Sequence, residues 1–281
     1  MTDERQIQGV PFPSFLYGTP WKEQETAKLT SLALASGFRG IDTANQRKHY
    51  CEAAAGEAVA KAQQAGSLSR GELFLQTKFT YQSGQDHRLP YEADASLDEQ
   101  VAQSFASSLE HLHTDYIDSY VLHGPMYRGR ICDADVTVWH AMETLHAEGR
   151  AKLLGVSNVD LPQLRALTAM SVVGPAFVQN RCFAKTGWDR DIRRFCANNG
   201  MVYQGFSLLT ANRAALIHPA MDQLARRLDR SPAQLVFRFA IERGMLPLTG
   251  TRSADHMAQD LACENFEISA KELDRIETLL L

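Results

Sequence analysis

Apolar residues in this chain fall into two alternating rhythms. Short compact runs sit at 15–17, 40–41, 73–75, 116–122, 152–156, 177–178, 201–206 and 246–248. Between them, apolar residues recur at the three- and four-residue spacing of a helix face, over 23–35, 52–65, 96–112, 135–148, 161–170, 189–198, 231–243 and 256–262. Each compact run is too short for a helix and predicts a buried strand. Eight strand-then-helix units result. Strands separated by helices pair in parallel through crossover connections, and eight such units close into a barrel more readily than they spread into an open sheet.

Local chemistry sets the same boundaries. Ser231-Pro232 reads as an N-cap followed by proline at the first helical position, and Ser269-Ala270-Lys271-Glu272 is a capping box that opens a last helix running to Leu280. Gly149, Gly200 and Gly244 stand where a helix should stop before the next strand. The segment 7–14, with Gly9, Pro11 and Pro13, predicts a small flap across the barrel floor. The expected fold class is therefore α/β: a (β/α)8 TIM barrel with a short N-terminal β-hairpin and a final C-terminal helix, forming a single domain over 1–281.

Composition narrows the partners. A formal net charge of -4 supplies no basic field for nucleic acid or anionic lipid, so a small molecule is the expected partner. The five cysteines are scattered, with no C-x-x-C spacing, and read as reduced thiols. No apolar run reaches the roughly 18 residues of a membrane span, and the first thirty residues lack a signal-peptide core. A soluble, cytoplasmic protein is expected, with its oligomeric state left open.

In such a barrel the carboxyl ends of the strands share one face, and polar residues gather there. Asp42 ends the second strand, Lys78 the third, His123 the fourth, Ser157-Asn158 the fifth, Gln179 the sixth and Phe206-Ser207 the seventh. Around them lie Tyr17-Gly18-Thr19, Gly37-Phe38-Arg39-Gly40-Ile41-Asp42-Thr43-Ala44, Glu72-Leu73-Phe74-Leu75-Gln76-Thr77-Lys78 and Ser108-Leu109-Glu110-His111-Leu112. Asp115-Tyr116-Ile117-Asp118, His123-Gly124-Pro125, Gly149-Arg150-Ala151-Lys152, Gly155-Val156-Ser157-Asn158, Gln179-Asn180 and Ser231-Pro232-Ala233-Gln234 follow in order. Together these motifs resemble those of the aldo-keto reductases over nearly the whole chain.

The resemblance implies an NADP(H)-dependent reductase of aldehydes or ketones, with Asp42, Tyr50, Lys78 and His123 as its catalytic tetrad. A tyrosine of ordinary pKa, about 10, is a reluctant proton carrier near neutrality. Lys78 is expected to lower that value while Asp42 holds the ammonium and offsets its burial. His123 would donate to, or orient, the carbonyl oxygen, and Tyr50 would protonate it.

By the same resemblance Ser157, Asn158 and Gln179 would hold the nicotinamide carboxamide, Phe206 would stack on its ring, and Ser207 and Leu208 would lead toward the pyrophosphate. Thr19 joins this set. Thr251, Arg252, His256, Gln259 and Asp260 would surround the adenosine end, with Arg252 gripping a 2′-phosphate. NADP(H) is favoured, and NAD(H) stays open. Two cations common in the family's adenosine site are replaced here by Gly250 and His256.

Other departures shape further expectations. In much of the family the tyrosine stands where this chain has Arg47, so the loop between Asp42 and Tyr50 is longer. Gly124 replaces a tryptophan, and the segment 207–220 is short, so a roomy pocket is expected. His49 and Cys51 flank Tyr50 but have no third ligand, and no metal site is expected. Two other readings remain: a nicotinamide-binding regulatory or interaction protein with little turnover, and a Schiff-base lyase using Lys78 as nucleophile.

Overall fold

The structure, a computed structural model, describes residues 5–281. It opens with an antiparallel hairpin, β1 (Gln6–Ile7) and β2 (Val10–Pro11), turning at Gln8-Gly9. Eight strands follow: β3 (Leu16–Gly18), β4 (Gly40–Asp42), β5 (Phe74–Phe79), β6 (Ile117–Leu122), β7 (Ala151–Ser157), β8 (Phe177–Arg181), β9 (Val202–Phe206) and β10 (Leu246–Thr249). All pair in parallel and in chain order, and β10 returns to β3 to close the barrel. Both faces of β5 and β6 are buried throughout, as a sheet covered by helices requires.

The outer layer comprises α1 (Thr26–Ser36), α2 (Glu52–Gln64), α3 (Leu97–Leu112), α4 (Asp133–Ala147), α5 (Leu161–Met170) and α6 (Arg190–Asn198). After β9 come three helices, α7 (Arg213–Leu216), α8 (Pro219–Leu228) and α9 (Pro232–Glu242); α10 (Ala254–Leu261) and α11 (Ala270–Glu277) follow β10. The Ser231 hydroxyl accepts the Gln234 amide and Pro232 occupies the first turn, while Ser269 and Glu272 form the capping box of α11. Gly149, Gly200 and Gly244 each adopt a left-handed backbone after α4, α6 and α9.

The hairpin closes the lower end of the barrel. Ile7, Val10 and Phe12 pack on Leu16, Phe74, Leu153, Phe177 and Leu246, which lie at or near the amino ends of their strands, and Phe12 meets Phe177 edge to face at 5.6 Å. With that end filled by hydrocarbon, the opposite end is free to carry polar groups. Register then aligns them: Gly18 lies beside Asp42, Asp42 beside Gln76, Ser157 beside Gln179, and Gln179 beside Gln204.

Candidate active site

Lys78 is fully buried, and its ammonium is held by the Asp42 carboxylate at 2.6 Å and the Thr43 carbonyl at 2.7 Å. A buried cation without such partners would give up its charge. Burial pulls the Lys78 pKa down, and the Asp42 carboxylate, helped by Glu52, pulls it back. Asp42 Oδ1 also accepts from Gln76 Nε2 at 2.7 Å and Gln179 Nε2 at 3.1 Å. Gln204 accepts from both of those amides, at 2.8 and 3.0 Å, and donates back to Gln76 at 2.9 Å. Three carboxamides from β5, β8 and β9 thus lock the acid from beneath.

Tyr50 and His123 stand above this pair. The Lys78 ammonium lies 5.2 Å from the centre of the Tyr50 ring, and the Tyr50 and His123 rings are 5.9 Å apart, nearly perpendicular. The Tyr50 amide donates to Gln46 O, and the longer loop after Asp42 brings Tyr50 beside Lys78 and His123. One expectation is reversed. Burial first, then the Asp42 carboxylate, holds the Tyr50 phenol well above its ordinary pKa. The ammonium meant to lower it is already paired with Asp42 and faces the ring. The phenol therefore keeps its proton.

His123 is fixed through its backbone amide to Phe79 O at 2.9 Å and its carbonyl, which accepts Asn158 Nδ2 at 2.8 Å. Burial, then the charges of Lys78 and His49, press its imidazole pKa down to about 3, so the ring is neutral.

Asp42, Tyr50 and His123 line a cavity of about 850 Å³ that extends along the upper end of the barrel past Ser157, Asn158, Gln179, Phe206, Ser207 and Leu208 to Thr251, His256, Gln259 and Asp260. Gln179 spends its amide nitrogen on Asp42 and Gln204, and Asn158 spends its own on His123 O and Ser157 Oγ. What each then offers the cavity is its amide oxygen. Ser157 Oγ donates to Gln179 O at 2.7 Å, and the Asp260 carboxyl, bonded by Thr249 Oγ1, is raised by burial to about 6. Gly124 lies beside Ser157-Asn158, where an added Cβ would make only ordinary contacts, at 3.5 Å to Asn158 Cβ and 3.6 Å to Ser157 O.

Three of the residues named from sequence are not on the cavity wall. Lys78 lies behind Asp42, so an attacking amine is not available from it. Thr19 is buried, with its hydroxyl on the Asp42 carbonyl. Arg252 turns away to Glu25 at 2.7 Å and the Trp21 carbonyl at 2.8 Å, leaving its fork already occupied.

Sequence reasoning missed Lys22, Arg181 and His49, which do line the cavity. The Lys22 ammonium, 3% exposed as a residue, reaches the Gly250 carbonyl at 2.8 Å and sits 4.9 Å from the Tyr17 ring centre. It is the cation nearest the position that Gly250 left without one. Its neighbour Trp21 stacks on His49 with ring centres 3.7 Å apart, forming part of the rim. The signal in the sequence was Lys22 three residues beyond the matched Tyr17-Gly18-Thr19. Arg181 directly follows the matched Gln179-Asn180.

The chain as a whole is matched by known proteins. The family model described as Aldo/keto reductase family matches residues 15–280. Glyoxal reductase of Bacillus subtilis (strain 168) is 26% identical over 273 residues, which span 96% of this chain and 90% of that protein. NADPH-dependent codeinone reductase 1-4 of Papaver somniferum is 27% identical, across 96% of this chain and 87% of its own. The crystal structure of an aldo/keto reductase from Brucella melitensis superposes with a TM-score of 0.82 at 27% identity, covering 99% of this chain and 98% of that one. The carboxylate, phenol, amine and imidazole drawn from β4, β5 and β6 and the loops that follow β4 and β6 thus stand on a known scaffold, and the chain belongs to the aldo/keto reductase family.

Proposed function

We propose that this protein reduces an aldehyde or ketone to an alcohol with NADP(H), and that Tyr50 delivers the proton. The observation that carries this reading is the meeting of the Tyr50 phenol, the neutral His123 ring and the Lys78–Asp42 pair beside one elongated cavity.

The cavity wall suits a pyridine dinucleotide. The amide oxygens of Asn158 and Gln179 are acceptors for a carboxamide NH2, Phe206 offers a flat ring at the same end, and Lys22 is a buried cation with no carboxylate partner among the described residues. NADPH is also the cofactor in the name of the Papaver relative. When bound, the cofactor supplies a hydride to the carbonyl carbon.

The chain's own residues manage the oxygen. Tyr50, protonated because its pKa is raised, donates a hydrogen bond to the carbonyl oxygen and passes its proton as negative charge builds there. The resulting phenolate lies over an ammonium 5.2 Å from the ring centre, so charge created on Tyr50 is met by Lys78, whose own position Asp42 secures. A neutral His123 adds a second donor to the same oxygen without repelling Lys78.

The test is Tyr50→Phe. NADPH consumption followed at 340 nm against glyoxal and a panel of aromatic aldehydes should fall by about a thousandfold or more, consistent with the scale of general acid–base catalysis. NADPH fluorescence titration should show binding retained. Wild-type protein that binds NADPH yet reduces none of the panel, or Tyr50→Phe that turns over normally, would overturn the reading.

A further inference from the structure

We propose that Thr80 is a positioning residue for this reaction: its hydroxyl donates to Nδ1 of His123 and so fixes the imidazole as the tautomer that presents Nε2–H to the cavity. The proposal rests on the reading of His123 as a donor to the carbonyl oxygen, and on contacts not yet used above.

Thr80 follows the last residue of β5 and is buried, with its Oγ1 2.7 Å from His123 Nδ1. Its backbone is held independently, because Thr80 O accepts the Tyr91 hydroxyl at 2.8 Å and Gln85 Nε2 at 3.5 Å. Its methyl group faces Gly84, where an added Cβ would come within 2.7 Å of Thr80 Cγ2. With the methyl against that glycine, the hydroxyl has one direction left, toward the imidazole.

Proton counting then sets the direction of the bond. A neutral imidazole carries one N–H, and His123 is kept neutral by its surroundings. If Nδ1 held that proton, it would donate to Thr80 Oγ1, and the hydroxyl hydrogen would be buried with no acceptor among the described residues. If Nε2 holds it, the hydroxyl donates to Nδ1 and every hydrogen has a partner on the protein or in the cavity. The second arrangement also turns the only N–H of the ring to where a carbonyl oxygen is bound. The signal in the sequence is slight: one threonine, two places after Lys78.

Nitrogen-15 NMR of histidine-labelled protein, with His123 assigned by its loss in His123→Gln, reads the tautomer directly. Wild type and Thr80→Ser should show a protonated Nε2 and an unprotonated, hydrogen-bonded Nδ1. Thr80→Val should lose the hydrogen-bonded signature at Nδ1, and its kcat should fall about tenfold with NADPH affinity unchanged, while Thr80→Ser restores it. A protonated Nδ1 in wild type sinks the proposal, whether or not Thr80→Val folds. So does a Thr80→Val protein whose His123 nitrogens and kcat both match wild type. If Thr80→Val alters the His123 nitrogens but neither it nor His123→Gln slows turnover, the positioning stands and the catalytic assignment of His123 is what fails.

Discussion

The Lys22 ammonium lies 2.8 Å from the Gly250 carbonyl and is buried beside the cavity without a carboxylate among the described residues, while the nearby Arg252 is turned onto Glu25. Burial, then the charge of Arg252, brings the Lys22 pKa from 10.5 down to about 8. Lys22 is therefore a cation waiting for an anion, and a cofactor phosphate is the anion the cavity would bring.

Lys22→Met should weaken NADPH binding about tenfold to a hundredfold, the range of a lost hydrogen bond to a charged group. The sign with pH follows from the lowered pKa. Binding favours the protonated ammonium, so affinity is full below about pH 8 and declines as pH rises through that value. Titration calorimetry in buffers of different ionisation heat should show proton uptake on binding above pH 8, absent in Lys22→Met. Comparing ADP with 2′,5′-ADP as fragments locates the phosphate. Equal affinities for the variant and wild type at pH 7 would remove Lys22 from the site.

Arg252→Ala should leave NADPH affinity within about threefold of wild type. Its guanidinium is engaged by Glu25, outside the cavity, and by the carbonyl of Trp21 at the rim, and an exposed pair of this kind contributes about 0–1 kcal/mol to stability. A fluorescence titration that shows NADPH, but not NADH, binding tenfold more weakly would restore Arg252 as a 2′-phosphate clamp.

The barrel was legible because its code is local and repeated. Strand and helix periods alternate eight times, and caps such as Ser231-Pro232 and stops such as Gly149 need no partner elsewhere in the chain. The gathering of Asp42, Lys78 and His123 was legible for a related reason: Asp42 ends β4, Lys78 stands one residue before the end of β5, and His123 immediately follows β6, so topology brings them to one face. What was not legible depends on where a long side chain finds its partner. Arg252 was the phosphate ligand expected from sequence, yet Glu25 captures it, and Lys22, buried against Tyr17 and Gly250, is the cation left without a carboxylate among the described residues. The three helices after β9 were read only as one helical region, because the short α7 has too few residues to show a period. The direction of the Tyr50 shift was also misjudged, since burial outweighs a lysine already neutralised by Asp42.

At saturating cofactor, kcat for reduction should be flat from about pH 5 to 9. The proton donor Tyr50 is protonated until pH exceeds its raised pKa, and His123, with a pKa near 3, carries no charge to lose in that interval. A pH profile of kcat with a limb between 6 and 7 would mean that His123 titrates there, contrary to its buried surroundings.

A last prediction concerns how the loop carrying Tyr50 is anchored. Glu52 opens α2 two residues after Tyr50 and is buried, where its carboxylate receives the Thr77 hydroxyl, the Ser108 hydroxyl at 3.1 Å and His111 Nδ1 at 3.0 Å. It thereby ties the start of α2 to β5 and to α3. One turn later Gly56 crosses α3 so closely that a Cβ would fall on the His111 carbonyl, leaving no room for water between the two helices at that crossing. Glu52→Ala would leave two hydroxyls and an imidazole without their acceptor, for a loss of about 3 kcal/mol and a fall in Tm of about 5 °C. Glu52→Gln, which keeps the shape and one acceptor oxygen, should lose less than half of that. Gly56→Ala should be at least as damaging as Glu52→Ala, because the clash is with backbone that has no free space behind it. Thermal unfolding of the three variants without cofactor gives the order, and a Glu52→Ala protein as stable as wild type would show that α2 is held by its apolar face alone.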